Sequence, residues 1–125
     1  MTTLRELIKR DVLTVAPEDT IGEAAEKMHT EKIGWAVVSD YGRMIGILTE
    51  RDILRAVAGR THSSEARVRQ WMTPDPVTAT PETSAEDALK TMLDGGFRHL
   101  PVVEDDRPIG VVSIRHVARA TGTDS

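Results

Sequence analysis

The chain has 125 residues, enough for one compact domain whose core needs no covalent staples. It contains no cysteine, which excludes disulfides, thiolate chemistry and cysteine-based zinc sites. Sixteen Lys and Arg against twenty Asp and Glu give a formal charge of −4, so the broad positive field of a general nucleic-acid binder is missing. Trp35, Tyr41, Trp71 and Phe97 are its only aromatic residues, which leaves an aliphatic core and no stacking platform for single strands. The start, MTTLRELIKR, is charged and amphipathic rather than a signal peptide, and no apolar run approaches the roughly 20 residues that span a bilayer. A cytoplasmic protein with no nucleic-acid or membrane partner is the expectation.

In chain order, Leu4-Arg5-Glu6-Leu7-Ile8 predicts a short lead-in helix. An extended piece, Leu13–Val15, runs into Pro17, which cannot extend a strand and forces a turn. A helix starts at Thr20, with Glu23 three residues on as in a capping box, and Ile21, Ala24, Ala25 and Met28 give it one apolar face. Two strands follow, Trp35–Ser39 and Met44–Leu48, joined by the polar turn Asp40-Tyr41-Gly42-Arg43. Thr49 caps a second helix that ends near Gly59. A polar loop, Arg60-Thr61-His62-Ser63-Ser64, then leads into a short helix through Val68 and Trp71.

The same order returns. Val77–Ala79 runs into Pro81, and Ser84 and Asp87 open a helix with Ala85, Ala88, Leu89 and Met92 on one face, closed by Gly95-Gly96. Strands His99–Glu104 and Pro108–Val112 flank the turn Glu104-Asp105-Asp106-Arg107, and Ser113 caps a last helix ending near Gly122. Sliding the chain by 64 residues aligns Asp11–Val57 with Asp75–Thr121 without a gap, and thirteen of the 47 pairs are identical. Unrelated segments would share roughly three. Two copies are too few for a solenoid and suit a closed pair.

The unit is β-α-β-β-α, an α/β (α+β) fold. Its strands (WAVV, MIGIL, LPVV, IGVV) are nearly continuous apolar runs, the pattern of a sheet covered on both faces. Helices can cover one face, and the sheet of the other copy is the natural cover for the second, giving two tandem motifs packed sheet to sheet about a pseudo-two-fold. The boundaries expected from sequence are 1–61 for copy one with its lead-in helix and 62–125 for copy two with the linker helix.

At Thr49-Glu50-Arg51-Asp52 a strand meets a helix. Free backbone N–H groups and the positive end of the helix dipole favour a phosphate there. Thr49 can present a hydroxyl, and a carboxylate such as Asp52 can accept from both hydroxyls of a ribose. Arg51 and Arg55 add charge-assisted donors. The same residues also satisfy an ordinary N-terminal cap, and Arg on an exposed helix face is commonly a solvated charge. The four histidines, His29, His62, His99 and His116, show no metal-ligand spacing, and no nucleophile elbow, HExxH or Gly-rich phosphate loop is present.

The strings VLTVAPEDTIGEAAEKM and IGWAVVSDYGRMIGILTERDI, with PVTATPETSAEDALKTM and FRHLPVVEDDRPIGVVSIRHV in copy two, resemble paired cystathionine-β-synthase (CBS) motifs forming a Bateman module. The likeness covers almost the whole chain and leaves no room for a catalytic domain. It implies a stand-alone regulatory module, not an enzyme, that binds AMP, ADP, ATP or another adenosyl ligand such as NAD(H) or S-adenosylmethionine in the cleft between the copies. It requires no cofactor, although ATP would bring Mg with it.

By resemblance, Asp52 is the ribose ligand and Thr49 its neighbour, with Arg51 toward the phosphate, while the backbone of Thr14, Val15 and Ala16 reads the base. Arg98, His99 or Pro101 of copy two would complete the site or merely begin a strand. Trp35 would stack on the base, plug the cleft or serve packing. In the second site, around Thr78, Ala79, Thr80 and Ser113, the expected Asp is His116, which cannot accept two hydroxyls. One good site is therefore expected, in copy one. The resemblance also implies a disc-like homodimer through helix faces around Met28, Ile53, Met92 and Val117, and a protein target that the sequence does not name.

Overall fold

The computed structural model describes residues 1–8, 11–60, 62 and 64–122. Thr61 and Ser63 of the expected polar loop lie outside them. In chain order the elements are α1 (Leu4–Leu7), β1 (Thr14–Val15), α2 (Ile21–Glu31), β2 (Trp35–Asp40), β3 (Arg43–Thr49), α3 (Glu50–Ala58), α4 (Val68–Trp71), β4 (Thr73–Pro74), α5 (Ala85–Gly95), β5 (His99–Glu104), β6 (Arg107–Ser113) and α6 (Ile114–Thr121).

The helix starts follow the capping chemistry. Glu23 N donates to Thr20 Oγ1 at 3.0 Å and Thr20 N to Glu23 Oε1 at 2.9 Å, a reciprocal cap on α2. Asp87 N donates to Ser84 Oγ at 3.1 Å at the start of α5. Gly96 and Gly122 close α5 and α6 with φ of 71° and 78°, where a side chain would be strained. Both hairpins turn through left-handed pairs, Tyr41-Gly42 and Asp105-Asp106, the geometry that matches strand twist.

The copies differ in their first strand. In copy one β1 runs parallel to β2, and the four-stranded sheet has the order β1-β2-β3-β4, with β4 an addition the sequence pattern did not announce. In copy two β5 and β6 form a two-stranded sheet, and the expected strand Val77–Ala79 survives only as a bridge between Ala79 and Val102. The cause is Pro101. Val37 N donates to Leu13 O at 2.8 Å in copy one, whereas Pro101 stands at the position equivalent to Val37 and has no N–H to offer Val77.

The chain forms two compact units, Leu13–Pro76 and Met1–Val12 with Val77–Ser125. Each lead-in packs within the unit of the copy that does not follow it. Leu4, fully buried, joins the core of Ala88, Met92, Leu100 and Val117. Its N–H donates to Thr83 O at 2.9 Å, and Arg5 pairs with Glu82 and Glu104. In the other unit Val68 joins Ile21, Met28, Val38 and Leu48, its N–H donates to Asp19 O at 2.8 Å, and Arg69 pairs with Glu18. The α4 helix is tethered there by β4, where Thr73 pairs with Ile47 and Pro74 with Gly46.

Burial differs among the residues around which a dimer face was expected. Met28, Met92 and Val117 are at most 4% exposed within their own cores, and Ile53 is half-buried. Among the described residues, the large apolar side chains exposed on helices are Leu54 and Val57 of α3 and Leu93 of α5.

Candidate functional site

The junction between β3 and α3 is built by register. Trp35 pairs with Thr49 and Val37 with Ile47, so these residues lie on the sheet face opposite Ala36, Val38 and Leu48, which join the helices in the core. Thr14 pairs with Val37 and shares that opposite face. Glu50 N donates to Gly34 O at 3.2 Å and ties the first turn of α3 to the loop before β2. A side chain at Gly34 would meet the Glu50 carboxylate, which would have to move aside.

Asp52 is the only charged residue among the described ones that folding buries, at 4% exposure. Its Oδ2 accepts from Thr49 N at 2.9 Å and from Thr49 Oγ1 at 3.2 Å, and its Oδ1 accepts from Arg55 Nη1 at 3.0 Å. No buried side-chain polar atom among the described residues lacks a partner. The Arg55 guanidinium in turn lies over the ring of Trp71, 5.7 Å from its centroid. Burial of the carboxylate is thus offset by three donors, one of them cationic. Arg51 is exposed beside this array, as are Thr14 and Ala16, while Val15 and Trp35 are buried.

Copy two starts α6 differently. His116 N donates to Ser113 Oγ at 3.3 Å and Ile114 N to Arg98 O at 2.9 Å, so the hydroxyl alone supplies the side-chain cap. His116 and Arg98 are exposed, His99 is half-buried opposite Ser113, and Pro101 is fully buried opposite Val111. Ala79 donates to Pro101 O at 3.0 Å and accepts from Val103 N at 2.8 Å, between exposed Thr78 and Thr80.

The structure therefore gathers Thr14, Trp35, Thr49 and Asp52 in one unit, and Thr78, Ala79, Thr80, Arg98, His99, Pro101, Ser113 and His116 in the other. Sequence reasoning missed the contact of Arg55 with both Asp52 and Trp71. The three-residue spacing of Asp52 and Arg55 on one helix was the available signal.

An open concavity of about 420 Å³ lies elsewhere, along α2, lined by Leu13, Glu23, Glu26, Lys27, Thr30 and Glu31. Three carboxylates against one lysine make it unsuited to a phosphate. No helix among the described residues is long and apolar enough to cross a membrane, and no group of His, Asp and Glu among them is placed to hold a metal ion.

Comparison with known proteins agrees with the repeat. An uncharacterized 17.7 kDa protein of Acidianus ambivalens is 41% identical over 95% of this chain and 73% of its own length. Of two longer curated relatives from Methanocaldococcus jannaschii, an uncharacterized protein and an inosine-5'-monophosphate dehydrogenase, the chain spans 43% and 22% of the length, at 33% and 36% identity. The crystal structure of a CBS-domain containing protein from Agrobacterium tumefaciens superposes with a TM-score of 0.88 at 40% identity, over 96% of this chain and 99% of that one. A CBS domain protein from Pyrobaculum aerophilum, complexed with AMP, superposes with a TM-score of 0.86 at 27% identity, over 98% and 99% of the two chains. The CBS domain matches at residues 4–59 and again at 68–122, so that both halves of the internal repeat are accounted for, and the chain belongs to the CBS-domain family.

Proposed function

We propose that the protein is a regulatory module, not an enzyme, that binds an adenine nucleotide or another adenosyl ligand through the β3–α3 junction of copy one. Asp52 accepts from the ribose hydroxyls, Thr49 stands beside it, Arg51 faces the phosphate, and the backbone of Thr14, Val15 and Ala16 reads the base. The observation that carries this reading is the buried carboxylate. Copy two starts the equivalent helix with Ser113 alone and an exposed His116, so the fold does not require a buried charge at this place. A buried carboxylate beside a helix N-terminus that the duplicate helix start does without is a candidate for binding. The AMP complex of the Pyrobaculum relative supports the ligand class. The second site, at Ser113 and His116, is weak or empty in this reading.

Melting the protein with AMP, ADP, ATP, NADH and S-adenosylmethionine in turn is the test. At least one should raise the melting temperature by several degrees at millimolar concentration, as expected when ligand exceeds its dissociation constant about a hundredfold, and Asp52→Ala should abolish the rise. A second reading, a ligand-free dimerisation scaffold, is favoured by exposed Leu54, Val57 and Leu93. No rise with any ligand, together with sedimentation as a dimer, would put that reading first.

A further inference from the structure

Three of the about four acceptor positions of the Asp52 carboxylate are already taken. Asp52 Oδ2 holds two donors from Thr49, and Oδ1 holds Arg55 Nη1. A vicinal diol brings two donors to a carboxylate with about one acceptor position left, so one donor must give way: losing the Thr49 hydroxyl frees one position on Oδ2, losing Arg55 opens Oδ1 to both hydroxyls, and the backbone N–H of Thr49 cannot leave without opening the start of α3. Arg55 can leave: its side chain is 56% exposed, against 6% for Asp52. Its guanidinium makes this half-solvated ion pair and lies over the face of Trp71, both weak interactions when exposed to water.

We infer that Arg55 is an internal competitor for the ligand, a removable cover on Asp52 whose departure is reported by Trp71. The inference rests on reading Asp52 as the ribose acceptor. Trp71 ends α4, its ring packs so closely on Gly59 that a Cβ there would lie 3.0 Å from it, and α4 continues into β4 on the edge of β3. Ligand binding at Asp52 therefore strips a cation from the ring of the helix that links copy one to copy two. This gives the module a route from an occupied site to its linker. All of these residues belong to the unit Leu13–Pro76.

The test uses the full chain with adenosine, whose lack of charge keeps simple attraction to Arg55 out of the comparison, and with AMP. Arg55→Met and Arg55→Gln should each bind adenosine about fivefold more tightly than the native chain, the scale expected for removing an exposed ion pair. Arg55→Lys, which can still pair with Asp52, should stay within about twofold of native. Tryptophan emission of the native chain should change on saturation with AMP, the change should vanish in Trp71→Phe, and Arg55→Met without ligand should already show the bound emission. Equal or weaker adenosine binding by folded Arg55→Met and Arg55→Gln, with binding still lost in Asp52→Asn, would overturn the inference and leave the nucleotide reading standing. Failure of every chain to bind adenosine or AMP at millimolar concentration would overturn both.

Discussion

Asp52 and Glu23 occupy the same place in two helices, three residues after a capping threonine, and differ in what surrounds them. Glu23 is exposed, and the Thr20 N–H, then the Thr20 hydroxyl, hold its carboxyl below the usual glutamate range. A carboxyl lowered in the folded state contributes stability above its unfolded pKa and loses it as pH falls through the lowered folded value. Glu23→Gln should therefore melt slightly lower near neutrality and show a shallower decline of melting temperature below about pH 4.3. An unchanged acid limb would show that the charge of Glu23 contributes nothing. Asp52 is buried, carries a cation as well as a cap, and has no acidic counterpart in copy two. At this scale the sequence made Thr49 and Asp52 legible as a junction, but not their closure by Arg55. An i,i+3 pair reads the same whether it is solvated or seated on a buried oxygen.

Among the elements, the repeat was legible because its caps and apolar spacing recur at a fixed shift. What the spacing could not reveal is which copy each lead-in joins. The lead-ins dock on loops that share Pro17-Glu18 and Pro81-Glu82, so local pattern alone permits either choice, and the decision comes from β4 holding α4 on copy one and from Leu4 filling the core of copy two. Leu4→Ala should cost about 2–5 kcal/mol, the range for a fully buried leucine. Amide hydrogen exchange should accelerate first in residues 77–122, and acceleration confined to residues 13–60 would contradict the exchanged packing. The lost strand at Val77–Ala79 was likewise hidden from a pattern of apolar residues, because Pro101 acts by the donor it lacks and not by its hydropathy.

For the molecule as a whole, duplication has produced two similar units with unequal chemistry. One start of helix carries a buried carboxylate, a cation and an indole; the other carries a serine and an exposed histidine. The charge of −4 is compatible with this, since recognition through one junction needs no broad basic surface. In the proposed function a nucleotide reads copy one at Thr49 and Asp52 while copy two stays weak or empty. Backbone amide resonances followed through a titration with AMP test it most directly. Large, saturable shifts are expected at Thr49, Asp52 and the adjoining residues of β1 and α3, with much smaller ones at Ser113 and His116. Shifts centred on Ser113 and His116, or none at millimolar AMP, would contradict it.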